Sequence, residues 1–159
     1  RIINQKIRDR EIDKRYLCIT VGTPRPPQGE VSCFLLKDEQ KKQVAVYHRP
    51  VPGGKTAVTR YRTLENRGEL SLLEVELLTG RTHQIRATMA DLGCPLLGDG
   101  KYGKGDVNRR YHETRQALYS YKLRFDFPTD AGLLNYLKGQ EFTVENVPFR
   151  EKYFPEIPS

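Results

Sequence analysis

The sequence holds three cysteines, Cys18, Cys33 and Cys94, and one methionine, Met89. The thiols are scattered, with no Cys-x-x-Cys spacing and no histidine at zinc-site distance, which argues against a bound metal and against a disulfide framework. An odd set of isolated thiols points instead to reduced cysteines serving as small core residues, and so to a cytoplasmic protein. No apolar run approaches the length of a membrane span, and no charged-then-apolar signal segment opens the chain, so a soluble protein without a membrane partner is expected. Internal repeats and low-complexity tracts are missing too. Residue types alone assemble no Ser-His-Asp set and no pair of catalytic carboxylates. Gly98-Asp99-Gly100-Lys101-Tyr102-Gly103 lacks the strand, Lys-Ser/Thr and helix context of a phosphate-binding loop, and reads first as a tight turn.

What is present fits one ordinary domain of 159 residues. Lys plus Arg number 27 against 20 for Asp plus Glu, a formal charge of +7. Such an excess suits a polyanionic partner, or is a solvated basic surface; the placement of the charges must decide. Residues 1–10 read as the middle of an amphipathic helix, with Ile2, Ile3 and Ile7 apolar and no methionine ahead of them. The expectation is a piece of a longer protein whose first helix packs against something upstream.

Alternation and turn residues predict strands over 14–21, 29–36, 44–47, 55–64, 69–78, 116–127 and 141–144. In the first, Tyr16, Cys18 and Thr20 share a side, so one face is expected to be buried and the other usable. Asp38 to Gln43 reads as a charged turn, 48–55 as an irregular loop, and Glu65-Asn66-Arg67-Gly68 as a hairpin turn. Residues 102–113 read as a mobile charged loop, 133–137 as a short helix and 148–159 as a loosely packed tail. The fold class expected is α+β, a mixed and mainly antiparallel sheet with few helices.

The chain is organised around 77–103. There Ile85, Met89 and Leu92 recur at i, i+4 and i+7, one apolar helix stripe, and Gly93 with Pro95 supplies the stop. His83, Arg86 and Ala90 fall on a neighbouring face. An arginine beside a core stripe is usually a snorkelling surface residue. Arg86, however, shares a few residues with Arg81, Thr82, His83 and Gln84, a density of donors suited to a carboxylate or phosphate. His83 can be a general base, a phosphate ligand or a helix-start residue, and on residue type alone the structural role leads. His48 and His112 lie in loops with no carboxylate beside them in sequence, and nothing is assigned to them. Tyr16 is by type a half-buried packing residue; beside Lys14 and Arg15 it can also stack on a base while the basic pair holds phosphate.

Thr79-Gly80-Arg81-Thr82-His83-Gln84-Ile85-Arg86, followed by Leu92-Gly93-Cys94-Pro95-Leu96-Leu97-Gly98-Asp99 and Tyr102-Gly103, closely resembles the third motif of the RluA-type pseudouridine synthases. Lys14-Arg15-Tyr16-Leu17-Cys18-Ile19-Thr20-Val21-Gly22 resembles that family's tyrosine motif. Gly54-Lys55-Thr56-Ala57-Val58-Thr59-Arg60-Tyr61 and Arg115-Gln116-Ala117-Leu118-Tyr119 resemble two of its strands. Thr88 and Tyr119 stand where the family often has histidine.

The resemblance implies isomerisation of uridine to pseudouridine in RNA, without cofactor or metal, by the C-terminal part of a catalytic domain. Tyr16 would stack on the flipped base and help take the C5 proton, and Arg86 would pair with a catalytic aspartate. Lys14, Arg15, Arg81, His83 and Gln84 would contact RNA. Ribosomal RNA is the expected partner, transfer RNA the alternative, and a monomer the expected state. The aspartate belongs to a His-Arg-Leu-Asp-x-x-Thr-Ser-Gly motif that these 159 residues do not contain, so this chain by itself is expected to be inactive. Arg86 is then expected to be exposed, disordered or to borrow another anion. An ordered Arg86 bonded to an acidic side chain of this same chain would count against its assigned role. The alternative reading is a noncatalytic RNA-binding domain on the same scaffold, or an interaction domain with an incidental basic surface.

Overall fold

The alternating pattern forms a seven-stranded sheet in the structure, a computed structural model that describes residues 12–125, 141–143 and 152–154. Its strands are β1 (Ile12–Val21), β2 (Gln28–Asp38), β3 (Gln43–Tyr47), β4 (Lys55–Arg67), β5 (Leu70–Leu77), β6 (Leu118–Phe125) and β7 (Glu141–Thr143). They lie in the order β3-β2-β4-β5-β1-β6-β7, and among the described residues every pairing is antiparallel. Among the described residues the helices α1 (Gln84–Asp91) and α2 (Gly105–Arg110) complete the expected α+β class. The helices expected at 1–10 and 133–137 lie outside the described residues.

Where strands lie next to each other in sequence, local chemistry sets the connection. The β4–β5 turn falls at Gly68-Glu69, later than expected, because Arg67 still pairs with Leu70. Gly68 takes φ 62°, and the Asn66 amide reaches across to Leu70 O and Ser71 Oγ, both at 3.0 Å.

β1 departs from expectation. It lies between β5 and β6, and both of its faces are buried from Leu17 to Thr20. Leu17, Ile19 and Val21 join Leu70, Leu72, Leu97, Val107, Ala117 and Phe154 in one cluster, while Cys18 joins Tyr61, Leu73, Val75, Ile85, Met89 and Leu96 in another. A central strand with a layer on each side reads as a nearly continuous apolar run, so alternation could not mark a free face. The first of these layers also takes in two segments read as loose. Residues 105–110 form α2, whose Val107 enters the cluster, and Phe154, at 1% exposure, seals it from the expected tail.

The second layer fixes α1. Ile85 and Met89 sink into the Cys18 cluster with Leu92 packed against it, as the stripe predicts. Ala87 enters a third cluster with Cys33, Leu35, Val44 and Ala57. The helix stops in a Schellman arrangement: Cys94 N–H bonds Met89 O, Gly93 N–H bonds Ala90 O, and Gly93 takes φ 85°. All three cysteines are free and buried.

Candidate functional site

The start of α1 is pinned to β4 by one side chain. Gln84, only 2% exposed, donates its amide to Val58 O and Thr59 Oγ1, both at 2.9 Å. Its Oε1 accepts from Thr79 Oγ1 at 2.8 Å and from Arg81 N–H at 3.0 Å. Every donor and acceptor lobe is used within the chain, so Gln84 is a clamp with nothing left for an RNA contact, which corrects the expectation. The clamp fixes the turn before the helix. There His83 adopts φ 52°, outside the helix proper, and Arg86 one turn later leaves the helix beside the loop after Gly98.

Arg86 meets an acid in that loop. Its Nε and Nη2 donate to Asp99 Oδ2 and Oδ1 at 2.9 and 2.8 Å, in the two-pronged geometry that guanidinium and carboxylate share. The side chains are 12% and 0% exposed. Asp99 Oδ1 also accepts the N–H groups of Lys101 (2.9 Å) and Tyr102 (3.0 Å). Burial alone would raise the Asp99 pKa, but the Arg86 bonds and the two backbone donors outweigh it and hold the carboxyl below its ordinary range. Asn108 of α2 holds the loop itself, accepting Gly98 N–H at 2.7 Å and donating to Asp99 O at 3.0 Å. This ordered bond to an acid of the same chain is the outcome that counts against Arg86 as the receiver of an outside aspartate. Arg86 Nη1 has no hydrogen bond among the described residues.

Tyr102 continues the network. Its ring lies 5.3 Å from the Arg86 guanidinium carbon and edge-on to His83, with ring centroids 5.6 Å apart. Tyr102 Oη accepts Val44 N–H and bonds His83 Nδ1, each at 2.9 Å. Burial, then the positive charges of Arg86 and Lys101, push the His83 pKa down. A neutral ring accepting the tyrosine O–H at Nδ1 leaves Tyr102 Oη free to accept the Val44 N–H at the same time. His83 is therefore held as a neutral packing and hydrogen-bonding group, the structural option among those the sequence left open.

The remaining expected residues divide between the two faces of the sheet. Tyr16 is half-buried on the α1 side and packs against the cluster that holds Ile85 and Met89. Its neighbour Arg15 points to the opposite side, 3.3 Å from Glu74 and 3.9 Å from Glu76. Adjacent strand residues alternate, so Arg15 and Tyr16 do not form the phosphate-and-base pair that their adjacency suggested. The Lys14 side chain lies outside the described residues. Arg81 is exposed, with Nε bonded to Thr56 O at 2.9 Å. His48, left without assignment, stands 2.7 Å from Asp91 of α1, a carboxylate supplied from 43 residues away.

The structure thus adds Asp99, Tyr102 and Asn108 to the site. The first two lie inside the quoted third motif, where glycines on both sides of Asp99 pointed to a turn. It is a turn and an arginine anchor together.

The model of the RNA pseudouridylate synthase family matches residues 1–91, more than half of the chain. The chain belongs to that family. Among curated pseudouridine synthases, the uncharacterized YhcT of Bacillus subtilis is 36% identical over 129 residues, 80% of this chain and 40% of the relative. The ribosomal large subunit pseudouridine synthase D of Borreliella burgdorferi is 36% identical over 126 residues, 79% of this chain and 37% of the relative. The chain therefore spans about two fifths of the length of these pseudouridine synthases. A solved structure, human RNA pseudouridylate synthase domain containing 1, superposes with TM-score 0.65 at 25% identity, over 80% of this chain and 54% of that one. The sheet and helices described above are thus the pseudouridylate synthase fold.

Proposed function

We propose that the complete protein isomerises uridine to pseudouridine in RNA, with ribosomal RNA the first candidate and transfer RNA the second. The observation carrying this reading is that Tyr16 packs on the same cluster as Ile85 and Met89, so that the tyrosine and the arginine-bearing helix share one side of the sheet. A uracil taken out of the stack costs a few kcal/mol, and an aromatic face offsets part of that. In this role Tyr16 stacks on the base and helps remove the C5 proton, and a carboxylate from outside these 159 residues acts at the sugar. The bond to Asp99 counts against Arg86 receiving that carboxylate through its Nε–Nη2 edge, which Asp99 occupies; the role left to Arg86 is through Nη1, with Asp99 as the positioning residue behind it. No cofactor or metal is assigned. The protein works as a cytoplasmic monomer.

The Arg86–Asp99 bond itself favours a second reading: a noncatalytic RNA-binding protein on this scaffold, in which the arginine is wholly structural. Incubating the complete protein with ribosomal and transfer RNA labelled at uridine C5 separates the two. Label release that drops about 10²-fold or more in Tyr16→Phe supports the enzyme. RNA binding without release on any of these RNAs leaves the binding protein.

A further inference from the structure

Arginines and lysines are distributed differently over this molecule. On the face opposite α1, Arg15, Arg60 and Arg62 line a cavity with Glu30, Glu74 and Glu76. Arg60 bonds Glu76 at 3.0 Å and Glu30 at 2.9 Å, and Arg62 bonds Glu74 at 3.2 Å. Three cations there meet three carboxylates, and the charges of that lining balance.

The surface beside Thr82 and His83 is the reverse. Two adjoining cavities of about 450 and 420 Å³ share Lys37, Val44 and Thr82. Around them stand Lys37, Lys42, Lys55, Arg81 and Lys101, and Glu39 is the one carboxylate in the lining. Glu39 is weakly engaged, 3.9 Å from Lys37 and 81% exposed. The nearby Asp38 carboxylate caps its own turn, accepting the Gln40 and Lys41 amides. Lys101 Nζ donates to Lys42 O at 3.0 Å, which ties the Asp99 loop to the β2–β3 turn and gathers the ammonium groups on one rim. The His83 pKa is depressed first by burial and then by Arg86, with Lys101 and Lys37 adding to the effect from this rim.

We infer that this lysine trough, and not the arginine-rich face, carries the phosphodiester backbone of the RNA. Lysines are mobile point charges that follow phosphates without fixing a base, and the lining presents no aromatic platform apart from the half-buried His83. Cations that share one weakly engaged carboxylate are what a polyanion releases counterions to reach, whereas guanidiniums already closely bonded to carboxylates gain little from exchanging partners. The inference rests on the reading that RNA is the substrate and assigns where the strand lies.

The test is the salt dependence of binding to a fluorescent oligouridylate by the complete protein. Each phosphate contact contributes about 0.7 to the slope of log affinity against log salt for single strands, so Lys37→Ala/Lys42→Ala/Lys101→Ala lowers the slope by about 2. Arg60→Gln/Arg62→Gln leaves it within about 0.5. The charge-keeping Lys37→Arg/Lys42→Arg/Lys101→Arg restores most of the slope, which separates lost charge from a disturbed loop. An unchanged slope in the alanine variant, an equal drop in the arginine variant, or tighter binding of polyglutamate than of RNA overturns the inference. Pseudouridine formation is scored separately on the wild type. A protein that forms none yet loses slope in the alanine variant keeps the trough and loses the enzyme; an active protein with an unchanged slope does the reverse.

Discussion

Asp99 grips Arg86 through both carboxylate oxygens, at 2.8 and 2.9 Å, from a loop that reaches the helix across 13 residues of chain. The loop is shaped for that grip. Gly98 N–H is held by Asn108, and Gly103 N–H bonds Asp99 O at 3.1 Å. An arginine this well anchored is a fixed charge, and its Nη1, without a hydrogen bond among the described residues, has a defined direction.

Breaking the pair from one side leaves the other charge buried. Asp99→Asn is expected to cost about 3–5 kcal/mol, close to 10 °C in melting temperature for a domain of this size. Arg86→Met/Asp99→Leu, which removes both charges, is expected to recover part of that loss in a thermal melt. Equal melting temperatures for wild type and Asp99→Asn would show that the pair does not hold the loop.

Acid acts on the same network in two steps. The folded His83 binds a proton more weakly than an unfolded histidine, whose ordinary pKa is 6.5, so its contribution is complete above that value and declines as pH falls below it. The folded Asp99 carboxyl lies below its ordinary 3.8, so its contribution is lost only as pH falls beneath that value. Urea midpoints measured against pH check both. His83→Asn, a residue that tolerates φ 52°, flattens the first decline, and Asp99→Asn flattens the second.

Two glycines with positive φ separate strain from collision. A Cβ at Gly93 meets nothing within 4 Å, so Gly93→Ala carries only the left-handed backbone cost of about 1–2 kcal/mol. At Gly98 the same atom falls 1.9 Å from the Arg115 carbonyl oxygen, which is backbone and cannot swing aside. Gly98→Ala is expected to abolish the cooperative melt that Gly93→Ala retains.

Gln84→Glu tests the clamp at nearly constant shape. A carboxylate keeps the Thr79 and Arg81 donors but faces Val58 O and Thr59 Oγ1, of which the carbonyl can only accept. The expected cost is about 1–3 kcal/mol at neutral pH, partly relieved in acid as the side chain takes a proton.

Local chemistry was legible in the sequence, and partners across space were not. The Ile85–Met89 stripe, its Gly93 stop and most strands follow from periodicity and turn residues that sit together in the chain. Arg15 looked like a companion of Tyr16 because they are adjacent, yet a strand sends neighbours to opposite faces, and its carboxylates Glu74 and Glu76 arrive through the register with β5. Asp99 was visible as a turn residue because its glycines are local, while its role as the Arg86 anchor depends on how α1 packs. Gln84 resembled its exposed polar neighbours, and only the approach of Val58 and Thr59 turns it into a buried clamp. The burial of both faces of β1 depends on α2 and Phe154 closing over it, and these come from segments with little apolar periodicity of their own.

The central claim is that Arg86, held from behind by Asp99, serves the uridine chemistry on the side of the sheet where Tyr16 lies. Single-turnover pseudouridine formation by the complete protein, with RNA affinity measured alongside, tests it most directly. Arg86→Lys keeps the charge but loses the fork, and is expected to slow turnover by about 10²-fold or more while RNA affinity changes little. Wild-type turnover in Arg86→Lys would contradict the claim and leave Arg86 as a structural partner of Asp99.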